Sequence, residues 1–195
     1  MFFSKSARLG VLFAVLLLSF GSAAGQKRPA ARTSAAAAVG QKASPVKQID
    51  NAGLRKALTP ADGKPLLVNF WATLCDPCRE EFPDLVKLDA EYKGKIDFIT
   101  ISLDEVADIN GPVTKFLSDM KATMPAYLLA VQDDDAAIAI VSKDFTGALP
   151  FTILYDAAGN QAYIRQGKVS LETVRAELAK VLGPAPSQSA SPDRR

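Results

Sequence analysis

The chain of 195 residues is 48% hydrophobic and 23% charged, with 10 Phe, 4 Tyr and 1 Trp. That mix supplies a packed core and excludes a disordered or fibrous chain. The absence of histidine removes a Ser-His-Asp triad, a Cys-His dyad and any histidine-ligated metal centre at once. The net charge of +2 conceals an acidic body, because between Val46 and Gly183 there are 15 Lys and Arg against 20 Asp and Glu, a net −5. An acidic body argues against nucleic acid as a partner.

Residues 1–24 read as a secretory signal peptide: Lys5 and Arg8 precede an apolar run at 9–20, and Ser22 and Ala24 fit the −3 and −1 positions of a cleavage site. The alternative is an uncleaved N-terminal membrane anchor, although the run is shorter than the roughly 18 residues of a confident span. No cysteine lies nearby, which excludes a bacterial lipid anchor. Residues 25–45, rich in Ala, Lys, Arg, Ser and Gly, read as a flexible linker, 46–183 as the folded domain, and 184–195, rich in Pro and Ser, as a disordered tail.

Within the domain the first expected element is a short helix around 54–58. The run LLVNFW at 66–71 is apolar apart from Asn69 and predicts a strand buried on both faces. A helix follows at 76–92, its apolar stripe formed by Phe82, Leu85, Val86, Leu88 and Ala90, with Pro83 expected to kink it. Next come a strand at 96–103, a helix at 113–121, a strand at 126–131 and an apolar helix at 133–143 opened by an acidic triplet. A hairpin at 151–155 and 161–166 turns around Ala157 to Asn160. A last amphipathic helix at 171–182 has Ser170 as N-cap. Alternation followed by a hairpin implies an α/β sandwich with a mixed sheet.

The only two cysteines, Cys75 and Cys78, sit three residues apart at a helix start directly after a buried strand. The unpaired N–H groups and partial positive charge of the helix N-terminus stabilise a thiolate on Cys75, the form that attacks a disulfide. The three-residue step puts Cys78 on the same helical face, able to close a ring with Cys75 and to resolve a mixed disulfide. Three other readings compete. A structural staple across so short a loop removes little chain entropy. A zinc half-site lacks two ligands. A Cu(I) site of two thiolates is chemically possible.

The run FWATLCDPCREEFP at 70–83 resembles the active-site segment of the TlpA/ResA/DsbE-like group of exported thiol–disulfide oxidoreductases, and the likeness extends through Leu149, Pro150, Phe151 and Thr152 to Gly167. The resemblance implies a thioredoxin fold over 46–183, a central mixed β-sheet flanked by helices on both faces. It makes Pro150 a cis-proline facing the cysteines. The Leu149 backbone would then border a groove where an incoming strand pairs, with Trp71 and Leu74 as further substrate-binding residues. Glu81 stands where the group carries an acidic residue, able to move the proton of Cys78; its bland role is to complement the helix dipole beside Glu80. Asn69 stands where classical thioredoxins have a buried Asp.

Two departures tune the site. Leu74 replaces the Trp that usually precedes the first cysteine. Asp76 places a negative charge between the cysteines, which disfavours the Cys75 thiolate and makes the pair more reducing, while Pro77 adds a rigid first-turn residue. The expected function is reduction of protein disulfides in the periplasm or another extracytoplasmic space. Its redox group is the Cys75–Cys78 disulfide, with no other cofactor and no metal. The resemblance implies recharging by a membrane electron donor of the DsbD/CcdA type and a role such as cytochrome c maturation, and the protein is expected to be a monomer. The alternatives are a disulfide oxidant or isomerase, a thiol peroxidase and a Cu(I)-binding module.

Overall fold

A computed structural model describes residues 44–131 and 134–183. The expected leader at 1–24, the linker up to residue 43, Asp133 and the tail at 184–195 lie outside the described residues. The elements in chain order are β1 (Val46–Ile49), α1 (Asn51–Ala57), β2 (Leu66–Trp71), α2 (Asp76–Glu91), β3 (Asp97–Ser102), α3 (Thr114–Asp119), β4 (Ala126–Leu129), α4 (Asp134–Val141), β5 (Phe151–Tyr155), β6 (Gln161–Gln166) and α5 (Leu171–Leu182).

One six-stranded sheet runs in the order β1-β4-β3-β2-β5-β6. The first four strands are mutually parallel, and β5 and β6 are antiparallel to their neighbours. β1 was not among the expected elements. Its four residues, VKQI, contain two polar side chains, and as an edge strand it buries little and pairs only with β4. Other differences are at the ends. β4 stops at Leu129, α4 at Val141, and α3 at Asp119, short of Lys121 at φ 57°; a tight turn at Val106–Asp108 and a widened turn at Ile109–Val113, holding Gly111 and Pro112, lead into it.

The two-residue period of the strands divides the core into two layers. Leu67 and Trp71 of β2 join Phe82, Leu85 and Leu88 of α2, Phe116 and Leu117 of α3, and Val174 and Leu178 of α5. Leu66, Val68 and Phe70 point the other way, toward Leu54 of α1, Ala137 and Val141 of α4, and Phe145. Helices therefore cover both faces, and β2 is buried along its whole length. The Asp50 carboxylate accepts from Gly53 N–H at the start of α1, and the Ser170 hydroxyl accepts from Thr173 N–H at the start of α5. α2 contains Pro83 and runs on to Glu91. The hairpin turn is closed by the Asp156 carboxylate, which accepts from the Ala158 and Asn160 amides, and by Gly159 at φ 88°. Among the described residues no helix is long and apolar enough to cross a membrane.

Candidate active site

β2 delivers the chain to the C-terminal end of the parallel strands, and a three-residue loop brings Cys75 to the N-cap of α2. Cys75 and Cys78 are joined as a disulfide, their Cα atoms 5.3 Å apart. The Cys75 Sγ also accepts from the Cys78 N–H at 3.3 Å, so this sulfur sits where the helix presents its unpaired donors. Cys75 is half-buried and Cys78 wholly buried. Only the first sulfur is within reach of another molecule. Asp76 and Pro77 are exposed beside it, and Leu74 is 93% exposed.

The Leu149–Pro150 bond is cis. Pro150 is buried and Leu149 half-buried at the start of β5, the strand antiparallel to β2, and the Pro150 carbonyl accepts from Gly167 N–H at 2.8 Å. Trp71, expected among the substrate-binding residues, is wholly buried. Its ring packs 4.6 Å from Phe116 and 5.1 Å from Phe82, centroid to centroid. As the last inward residue of β2 it follows the alternation Leu67, Asn69, Trp71 into the layer beneath α2.

Glu81, one turn beyond Cys78, is 1% exposed. Its Oε1 accepts from Asn69 Nδ2 at 2.9 Å and its Oε2 from the Val169 amide at 2.7 Å. Burial pushes its carboxyl above the usual carboxylate range; the hydrogen bonds from Val169 and Asn69 and the charge of Lys168 pull the other way. The exposed Glu80 meets Lys168 Nζ at 2.8 Å, a second tie between α2 and the loop after β6.

The loop that carries Cys75 is held from β3 by groups the sequence reading did not single out. The Asp104 carboxylate accepts from Thr73 N–H at 3.0 Å, from Thr73 Oγ1 at 2.6 Å and from Ser102 Oγ at 2.7 Å. Arg79 Nη1 donates to the Thr73 carbonyl at 3.2 Å while its guanidinium lies 5.6 Å above the Phe116 ring. Asp104 lies 31 residues from Thr73, and a carboxylate just past a strand end carries no sequence mark of which loop it caps. Thr152, which accepts from Asn69 Nδ2 at 3.1 Å, was visible only as part of the run around Pro150.

A cysteine pair that can close and open a disulfide at the first turn of a helix, opposite a cis-proline on a mixed sheet, defines a thioredoxin-fold protein with a redox-capable site. The chain belongs to the AhpC/TSA family, whose model matches residues 39–173. It is 31% identical over 133 residues to thiol-disulfide oxidoreductase ResA of Oceanobacillus iheyensis, covering 68% of this chain and 63% of that protein. The chain thus spans a little under two thirds of that relative's length.

Among solved structures, a thiol:disulfide interchange protein of the thioredoxin family from Chlorobium tepidum TLS is 24% identical, covering 68% of this chain and 85% of that one, with a TM-score of 0.52. A secreted Mycobacterium tuberculosis disulfide oxidoreductase homologous to E. coli DsbE is 19% identical, covering 64% and 85%, with a TM-score of 0.50. These likenesses show the thioredoxin fold, and the resemblance read from residues 70–83 is borne out.

Proposed function

We propose that this protein is an extracytoplasmic thiol–disulfide oxidoreductase that reduces protein disulfides through Cys75 and Cys78. The observation that carries the reading is the placement of Cys75 at the N-cap of α2, half-buried, with Cys78 enclosed behind it and cis-Pro150 on the neighbouring strand. In the reduced protein the Cys75 thiolate attacks one sulfur of a client disulfide. The S–S bond between the client's cysteines breaks, a mixed disulfide forms, and the first client thiolate leaves to take a proton from solvent. Cys78 then loses its proton to Glu81 and attacks Cys75 Sγ. This closes the Cys75–Cys78 disulfide and releases the second client thiolate. Two electrons have passed to the client, and a dithiol donor in the membrane, of the DsbD/CcdA type, returns them.

Leu149 and Leu74 supply the client-facing surface, the first through its backbone beside Pro150 and the second through its exposed side chain. Asp76 argues for the reducing direction, because a charge beside Cys75 disfavours its thiolate, and Pro77 stiffens the turn between the two sulfurs. No cofactor beyond the disulfide is required. The extracytoplasmic location is supported by the leader-like residues 1–24, and one protein of the same fold is described as secreted.

Trapping tests the chemistry. Cys78→Ser should accumulate client proteins as mixed disulfides on Cys75, identified by mass spectrometry, and Cys75→Ser should capture none and reduce nothing. Equal capture by both variants would remove Cys75 as the nucleophile. A redox titration tests the direction: a potential near about −120 mV, the strongly oxidising end of the range, would overturn the reducing role.

A further inference from the structure

The core layer beneath α2 is mainly apolar, and across it runs a row of polar side chains. Asn69 on β2 pairs across the parallel ladder with Thr100 on β3 and across the antiparallel ladder with Thr152 on β5. All three are wholly buried, and Glu81 reaches the row from α2. Asn69 uses both N–H bonds of its amide, one to Glu81 Oε1 and one to Thr152 Oγ1. Its Oδ1 and the Thr100 hydroxyl are buried with no partner. A core that places three polar side chains side by side and leaves two polar atoms idle is not arranged for packing alone.

The arrangement as it stands suits a charged Glu81, since a carboxylate accepts and the amide nitrogen donates. A protonated Glu81 needs an acceptor instead. Asn69 Nδ2 cannot supply one, so the row as built favours the carboxylate over the acid.

We infer that Asn69 is a positioning residue for Glu81, its amide N–H holding the carboxylate and tying it to the Thr152 hydroxyl on β5. The inference rests on Glu81 as the proton carrier of the proposed mechanism, but it concerns a titration that needs neither client nor free thiol.

Among charged and titratable groups, Lys168 in the loop after β6 and Tyr163 on β6 interact with Glu81; Glu80 and Asp84 surround Lys168, Arg165 and Glu177 surround Tyr163, and Cys78 lies one turn back on α2. β2, β3 and β5 bring only the three neutral side chains of the row. In the oxidised protein Cys78 does not titrate, so the carbon-13 shift of the Glu81 side-chain carboxyl, followed by NMR against pH, reads this group directly.

Asn69→Leu removes the donor to the carboxylate, and the midpoint should rise by about one pH unit, a tenfold gain in proton affinity. Asn69→Ala, which cannot clash, carries the same expectation if the leucine variant does not fold. Asn69→Asp should replace the single midpoint by two, as for coupled carboxyls sharing a proton. A midpoint unchanged in both neutral variants would overturn the inference and leave burial and the Val169 amide in control. An upward shift in a protein that fails to reduce disulfides would keep the inference and remove the proposed function. The opposite pair of results would do the reverse.

Discussion

Glu81 pairs a buried carboxyl with two donors, and the sign of its pH dependence follows from which effect wins. Burial raises its folded-state pKa above that of the unfolded chain. The folded state therefore holds the Glu81 proton more tightly. That contribution is present below the ordinary carboxylate value of about 4.3 and is lost as pH rises through the raised folded value. Glu81→Gln is neutral at every pH and suffers no such loss. Its stability relative to wild type should therefore increase as pH rises from about 4 to about 8, read as urea midpoints. A difference that stays flat would mean that burial does not govern this carboxyl. Glu81 was singled out in the sequence through the family resemblance of residues 70–83, where the group carries an acidic residue. Its partners were not, because Asn69 and Val169 come from elements 12 and 88 residues away.

Elements place the sulfur, and the loop between β2 and α2 depends on its anchor. Asp104 accepts three hydrogen bonds from Thr73 and Ser102. Asp104→Ala leaves the buried Thr73 and Ser102 groups without that acceptor, which costs about 2 kcal/mol of stability. It also frees the loop before Cys75, so the rate at which reduced Cys75 reacts with a small aromatic disulfide should fall as well. A variant with wild-type stability and rate would show that the tie holds nothing. α5 offers an independent check at its N-cap: Ser170→Ala should lower the thermal midpoint through the loss of about 1 kcal/mol, leaving Cys75 reactivity untouched. Helices α2 and α5 and strand β2 were readable because their periodicity is strong and their signals are local. β1 was not, because a short edge strand with two polar residues takes its conformation from pairing with β4, 80 residues further along the chain.

At the scale of the whole molecule, two apolar layers on either side of one sheet carry the stability, and the charges carry little of it. The side-chain ion pairs of the described residues have at least one partner well exposed, and exposed pairs contribute roughly 0–1 kcal/mol each. Screening them with about 1 M NaCl, where the Debye length falls to about 3 Å, should therefore move the urea midpoint little. Phe82→Ala should lower stability by about 3–5 kcal/mol, because Phe82 is wholly buried against Trp71 and Phe116. A midpoint more sensitive to salt than to that substitution would overturn this division of labour.

The sequence by itself determined the alternation of helices and strands, the mixed sheet that follows from it, and the position of Cys75 and Cys78 at a helix start. Periodicity, caps and a three-residue spacing act over a few residues and can be read locally. Only the tertiary structure decided that Trp71 faces inward, that Asp104 holds the Cys75 loop, and that Asn69, Thr100 and Thr152 form one polar row under Glu81. Those relations cross strands and helices far apart in the chain. The register that brings them together is set by burial of both faces of β2, a property of the whole sheet rather than of any segment.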